Sequence, residues 1–532
     1  MTGGSAENGE WATRRESHAL WAAALANGPA ELVDFVLPLW SGLELGLSAT
    51  EAGILMALEM AVSVLVRPLA GVLADTRDRR RVAAVGAVLY GVACVGYAVA
   101  GAFAVAAGAA VLSGVGGALL WVTVRAMVGE RLAEDSAVYP RLMGAQENGA
   151  WVAFLTGLSV LGVAGFPGLF HGCAAACLLA AAMLLTAPRR RAAPSPATAG
   201  GRGGGAGLVR GLRPMLLAVA FTMTAEAAVA MLLLLHLERG FGMGVVEAAY
   251  VFLPGAIVMG LLPERLHALV VRFGRTRLLA AASVSSAGFA VGLAWAPNPW
   301  VIAGLWVLSG VAWAVVIPVQ EAVIAEASGG RIGRGMGLYE AAALVGAAVG
   351  ALAAGILYDA SSWTVACLVA SCIILAGAVV VPRAVRSLGV AEHPPPAPVR
   401  PERPERAPSA AAGATEAPAP GPAAAAEIPE APVARAPAAG PGPRRQLAEL
   451  AAHAALFAGA HVALGLADLS WLVDLATEDT RETLLRGNGA REDLDDGLSD
   501  VLYGAGRIWV FVLLVDVAVR GYRMMAATAR AR

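Results

Sequence analysis

The stretch Gly71-Val72-Leu73-Ala74-Asp75-Thr76-Arg77-Asp78-Arg79-Arg80-Arg81 places six charged side chains at the joint between two long apolar runs. A hydrocarbon layer of about 30 Å is crossed by about 20 residues of helix, and lengths of that order flank the joint on both sides. A short, strongly basic joint between two such runs reads as a tight turn held in water at a membrane surface. The composition extends this reading to the whole chain. Of 532 residues, 58% are hydrophobic and 15% charged, and the mean hydropathy of +0.66 exceeds that of an ordinary soluble domain. The net charge of −1 indicates no nucleic-acid partner. All five cysteines (Cys94, Cys173, Cys177, Cys367 and Cys372) fall in apolar runs without a neighbouring metal-ligand set, and are expected to pack as small apolar groups.

Apolar runs of spanning length begin near Ala19, Ala52, Val82, Ala104, Leu142 and Gly168, then near Leu212, Val245, Leu278, Val301, Gly335 and Trp363. The arginines fall in alternate connections: Arg14 and Arg15, Arg77 to Arg81, Arg131 and Arg141, Arg189 to Arg191, Arg272 to Arg277, Arg331 and Arg334, and Arg383 and Arg386. The other set of connections carries only Arg239. By the positive-inside rule the basic connections and both ends of this unit are cytoplasmic.

The first and second halves are related. Leu112-Ser113-Gly114-Val115 recurs as Leu308-Ser309-Gly310-Val311, and at that offset of 196 residues Glu130 falls on Glu326, and Arg125 on Glu321. Ala30-Glu31 recurs as Ala225-Glu226 at an offset of 195, and Met143-Gly144 as Met336-Gly337 at 193. Such offsets predict two parallel repeats of six helices about an axis along the membrane normal, with a substrate site between them.

The opening stretch resembles the signature of the major facilitator superfamily in the loop between its second and third helices. Gly71 is followed four residues later by Asp75 and then by basic residues, with Thr76 and Asp78 as departures from the usual pattern. A worn copy leads from Pro263 to Arg272-Phe273-Gly274-Arg275. The resemblance implies an all-α polytopic membrane protein of the major facilitator fold, with two parallel-related six-helix bundles, twelve crossings in all. It also implies a conformational latch of Gly71, Asp75, Arg79 and Glu130. The further motifs of the drug–proton antiporter branch are absent: Ala110 stands where an Arg is usual, and helix 5 has no Gly-Pro pair.

Ionisable groups at membrane depth cost about 2.5–3.5 kcal/mol each on insertion, so those that persist call for a reason, either a function or structural pairing with one another. They are Glu31 and Asp34 in helix 1, Glu59 in helix 2, Arg125 in helix 4, Glu147 in helix 5, Glu226 in helix 7, Glu321 in helix 10 and Glu340 in helix 11. Helices 1, 4, 7 and 10 line the central cavity in the family resembled, which singles out Glu31, Asp34, Arg125, Glu226 and Glu321; Glu59, Glu147 and Glu340 complete the eight candidates for proton and substrate handling. Trp121, Trp151, Trp306 and Trp313 also lie within helices, facing either a cavity or else lipid or a neighbouring helix.

The expected domains are a first bundle over 1–187, a cytoplasmic loop over 188–211 and a second bundle over 212–388. A disordered Ala/Pro-rich linker over 389–446 and a two-crossing hairpin with an acidic outer loop over 447–532 follow. The function implied is proton-coupled export of a small drug-like or natural-product molecule from an inner membrane. Uptake of a metabolite, or a non-transporting scaffold using the hairpin to bind a partner, remain open readings. No cofactor or metal is expected. No Walker A motif and no nucleophile–His–acid set argues for an enzyme.

Overall fold

The computed structural model describes residues 3–189, 205–243, 245–395 and 443–466, with isolated positions 469, 470, 472, 473, 506, 510, 513 and 517. Among the described residues the regular structure is entirely helical. The first half comprises α1 (Gly3–Leu43), α2 (Ala49–Thr76), α3 (Arg79–Ala98), α4 (Phe103–Val128) and α5 (Val138–Thr186). The second comprises α6 (Gly205–Phe241), α7 (Val245–Leu261), α8 (Pro263–Phe273), α9 (Arg275–Leu293), α10 (Pro299–Ser328), α11 (Ile332–Ala360) and α12 (Trp363–Ser387). These twelve belong to one compact unit, and α13 (Pro443–Leu466) belongs to a second. Nine stretches among the described residues are long and apolar enough to cross a membrane, one of them running from Pro299 through α10 and α11 to Ala360.

Local chemistry sets the joints. Ser48 and Glu51 form a reciprocal capping box at the start of α2. Asp78 caps α3 by accepting from the Arg80 amide at 3.2 Å, which gives this departure from the family signature a structural task. Asn298 caps α10, with Pro299 at its first position. In α5, 49 residues would make a rod of about 74 Å at 1.5 Å per residue, more than twice the thickness of a bilayer core. The rod is broken at Gly165, whose φ of 64° is readily reached only without a Cβ. The expected fifth and sixth helices therefore meet at a one-residue kink. The eighth expected helix is interrupted at Leu262 and continues as α8 from Pro263.

Small residues let the backbones touch. A Cβ on Gly149 of α5 would lie 2.6 Å from the Ala24 carbonyl carbon of α1, and one on Gly346 of α11 would lie 2.9 Å from the Ala220 Cα of α6. The same helix pairing therefore occurs in both halves by the same means, close approach at glycine.

Two boundaries differ from the sequence expectation. The central loop is shorter than 188–211, because α6 already begins at Gly205, and residues 190–204 lie outside the described residues. The first part of the expected linker, 389–395, is packed: Glu392 accepts from the Thr276 amide at 2.8 Å and its hydroxyl at 2.6 Å, capping α9. With this acid at a helix N-terminus, Arg275 donates to the Ala391 carbonyl at 3.1 Å and its amide to the Glu392 carbonyl at 2.9 Å, so the strap is fixed although the composition around it is Ala/Pro-rich. Of the expected hairpin, α13 is described. Positions 506, 510, 513 and 517 of the second apolar run are helical, while the acidic connection between the two runs lies outside the described residues. In that unit His461 Nε2 lies 3.2 Å from the Gly506 carbonyl oxygen.

Candidate functional site

At the arginine-bearing end of the first half, α2 delivers Asp75, the turn into α3 delivers Arg79, and the end of α4 leads into Glu130. Arg79 donates to Asp75 at 3.3 Å and to Glu130 at 3.0 Å. Arg15, from the polar start of α1, grips Glu130 with two bonds of 2.8 and 3.1 Å. Beside this group, Glu16 pairs with both Arg131 and Arg141. All of these side chains are largely buried, and each charge has a partner, the condition under which burying an ion pair is tolerable. From the sequence Arg15 counts only as an orientation charge and Glu16 does not stand out, because both precede the first apolar run.

Asp75 reaches further than the expected relay. Its Oδ1 accepts from the Gly333 amide at 2.7 Å and its Oδ2 from the Arg334 amide at 3.0 Å. An acid of the first half thus caps α11 of the second, where unpaired amides and the helix dipole favour a negative charge. The second half repeats part of the pattern: Arg275 holds Glu326 at 2.5 Å, and this pair has the same 51-residue separation as Arg79 and Glu130. Where the first half has Asp75, the worn copy has no acid, and the seam there is built differently. Ser136 donates to the Pro395 carbonyl at 2.5 Å, so its oxygen must accept from His267 Nε2 at 2.9 Å.

Polar joints at this end shift titration. Hydrogen bonds from the Arg80 side chain hold the Asp78 carboxyl below its ordinary range. Burial pushes the His267 imidazole down to about 4, despite attraction to Asp135, with Arg275 and Arg141 opposing a further charge. A histidine kept neutral in the folded form disfavours folding once the unfolded chain binds the proton. Stability is therefore expected to fall as pH drops from about 6.5 toward about 4. His267→Gln, which keeps a donor but does not titrate, is expected to flatten that part of the melting-temperature profile. An unaltered profile would remove His267 from the account.

Deeper toward the bilayer, Arg125 of α4 donates to Glu321 of α10 at 2.6 Å and to Glu340 of α11 at 2.9 Å. Glu340 also pairs with Arg67 of α2 at 2.9 Å, and Arg67 donates to the Glu340 carbonyl at 3.1 Å. Three of the eight candidates thus come together with Arg67, which the sequence reading missed. The signal was available: Arg67 is one charge inside the apolar run that precedes Pro68. Arg125 and Glu321 occupy matching positions of the two repeats, 196 residues apart. The bonds from Asp75 to α11 and from Ser136 to Pro395 lie at the arginine-bearing end, with the Arg125 cluster next to them. There a Cβ on Gly71 would stand 2.5 Å from the Gly333 carbonyl oxygen.

The other five candidates do not join this network. Glu59 accepts from Ser113 of α4. The electrostatic neighbours of Asp34 are Glu59 and Glu31, and those of Glu147 are Glu31 and Glu226. Glu226 Oε2 is enclosed without a hydrogen-bond partner. It lines a small cavity between α6, α9, α10 and α12, with Trp306 and Trp313 in the wall. A larger cavity of about 440 Å³ between α1 and α5 is lined chiefly by aliphatic and small residues. Among the described residues no group of three or more His, Cys, Asp or Glu is placed to hold a metal ion.

Residues 19–267 and 266–467 match the family model of the Major Facilitator Superfamily. No curated protein matches the sequence. Among solved structures, the human organic anion transporter MFSD10 (TETRAN) aligns with a TM-score of 0.57 at 18% identity, over 70% of this chain and 99% of that one. The proton:xylose symporter XylE, bound to 6-bromo-6-deoxy-D-glucose, gives 0.59 at 15% identity over 70% and 95%. A bacterial homologue of the iron transporter ferroportin, in an outward-facing state, gives 0.55 at 16% over 70% and 99%. At such identities the likeness is one of fold alone.

Proposed function

Because this chain belongs to the major facilitator superfamily, whose members are transporters and not enzymes, we propose that it exports a small drug-like or natural-product molecule in exchange for protons. The cargo would pass between the two halves by alternating access, across an inner membrane, with the arginine-bearing end in the cytoplasm. The observation that carries this reading is the bond from Asp75 to the first amides of α11. It joins the halves at the arginine-bearing end, through groups that water can satisfy once they part, which suits a seal that opens in each cycle. The alternation of arginines supports the orientation, and the unpaired carboxylates support proton handling.

On this reading the unit has twelve crossings, with α5 counted twice at its Gly165 kink and α7 with α8 counted once. The bundles are 1–187 and 212–388, the second extended back to the start of α6, and the hairpin adds two crossings. The four latch residues Gly71, Asp75, Arg79 and Glu130 govern the seal, and the membrane-depth carboxylates face the transport path.

Asp75→Asn tests the seal. The substitution keeps the size but loses the charge that serves two amides, and hydrogen bonds to a charged group contribute about 1.5–3 kcal/mol. The closed population is expected to fall by about 10- to 100-fold relative to the open one. Spin labels at Thr76 and Gly330 would report this as longer distances, and pH-driven flux in proteoliposomes would fall with it. Unchanged distances and unchanged flux would sink the latch. The sign of the flux relative to the pH gradient decides export against uptake.

A further inference from the structure

Resting on the transporter reading, the chemistry of the cargo follows from which charges inside the membrane are already satisfied. The two arginines at this depth, Arg67 and Arg125, are both engaged by Glu340 and Glu321. Among the described residues, Glu31, Asp34, Glu59, Glu147 and Glu226 have no arginine partner, so the charges left unpaired by arginine in the apolar helices are all acids. An anionic cargo would meet carboxylates and no free cation there, at a high desolvation cost.

One of these acids sits in a shaped site. Glu226 Oε2 is enclosed and unpartnered, and it shares a cavity of about 40 Å³ with Phe221, Phe289, Trp306, Trp313 and Ser309. Trp306 is held edge-on against Phe252 at 4.9 Å and Phe289 at 5.6 Å, so its ring is fixed before any ligand arrives. An enclosed polar atom normally has a partner, and one without suggests that the partner is missing. A single carboxylate walled by four aromatic rings attracts a cation by charge and by ring quadrupoles together. A hard metal ion asks for six or more oxygen ligands, which a wall dominated by aromatic rings does not supply. The volume holds about three water-sized groups, enough for an ammonium or methylated ammonium head and too little for a ring system.

We infer that the cavity around Glu226 is a subsite for the ammonium head of an organic cation, and that the cargo class is cationic. Glu226 is then a specificity-determining residue: it accepts the ammonium, while Trp306 and Trp313 shield the pair from water.

The test uses the full chain in detergent and three probes of similar shape: phenethylammonium, 3-phenylpropan-1-ol and 3-phenylpropionate. Binding is read by calorimetry and by tryptophan fluorescence. Phenethylammonium is expected to bind at least about tenfold more tightly than the other two. Its binding should weaken as pH falls, because a proton competes for the same carboxylate. Glu226→Gln is expected to lose at least about tenfold in affinity for the ammonium and nothing for the alcohol, and Trp306→Phe to lose severalfold. Retention of the native melting temperature and elution profile in either variant keeps the comparison valid. Equal affinity for all three probes, preference for the carboxylate, no saturable ammonium binding, or an unaffected Glu226→Gln variant overturns the inference. Flux in proteoliposomes separates the two readings. Transport of a neutral or anionic compound with no response to Glu226→Gln leaves the transporter standing without this subsite. Ammonium binding without pH-driven flux of any probe removes proton-coupled transport instead.

Discussion

Arg125→Met is expected to destabilise the folded protein by about 3–5 kcal/mol, the usual cost of removing one member of a buried ion pair. Glu321 and Glu340 are nearly inaccessible to solvent at 2% and 3% side-chain exposure, so water cannot take the place of the lost guanidinium. The loss falls mostly on Glu321, because Glu340 keeps Arg67. Arg125→Met combined with Glu321→Leu should therefore recover most of the stability, since two apolar groups of similar volume leave no stranded charge. Arg125→Glu combined with Glu321→Arg should do the same by restoring the pair in reverse. Thermal unfolding in detergent reads all three. A double variant that melts no higher than Arg125→Met would mean that the pair does not act as a unit.

A second large effect is expected at Gly71. Its missing Cβ would lie 2.5 Å from the Gly333 carbonyl oxygen and 2.9 Å from the Arg334 Cα, and neither of those backbone atoms can rotate away. Gly71→Val must hold α2 and α11 apart, which also breaks the Asp75 cap one turn further along. Each half keeps its own packing, so the protein should fold, elute and melt much as before. Flux should fall by two orders of magnitude or more, because one of the two alternating states can no longer form. Gly149→Val provides the contrast. Its clash, 2.6 Å to the Ala24 carbonyl carbon, lies between α1 and α5 of the same half, so it should reduce yield and melting temperature. Full flux in Gly71→Val would show that the approach of α2 to α11 is incidental.

The fold was legible because its determinants are local or periodic. Apolar length, alternating arginines and the 196-residue offset each need only a count along the chain. The capping box at Ser48 and Glu51 is equally local. The individual charges of the site were legible as well, since Arg125, Glu321 and Glu340 each stand out against an apolar helix. Their pairing was not, because the partners are separated by 196 and 215 residues. Arg67 was lost beside the motif it precedes, although the same insertion cost applies to it. The true reach of Asp75 was hidden for a different reason: its partners at Gly333 and Arg334 are backbone amides, which any sequence would supply. The strap over 389–395 depends on Glu392 meeting one helix start and on its backbone carbonyls meeting Arg275 and Ser136, and composition averages over such contacts. The cavity at Glu226 draws its walls from four helices spread over more than 150 residues of chain, so no local window contains it.

The pair formed by Arg125 and Glu321 also bears on ancestry. Two residues at equivalent positions of a twofold arrangement, close enough to touch, would in a dimer of identical chains each face its own copy. An arginine there would meet an arginine, and a glutamate a glutamate, and either encounter is repulsive. Opposite signs become available only when both copies lie on one chain and drift independently. This bond between the halves is thus one that a symmetric forerunner was unable to make. Duplication supplied the architecture, and the divergence of a single position supplied a fastening that symmetry had forbidden.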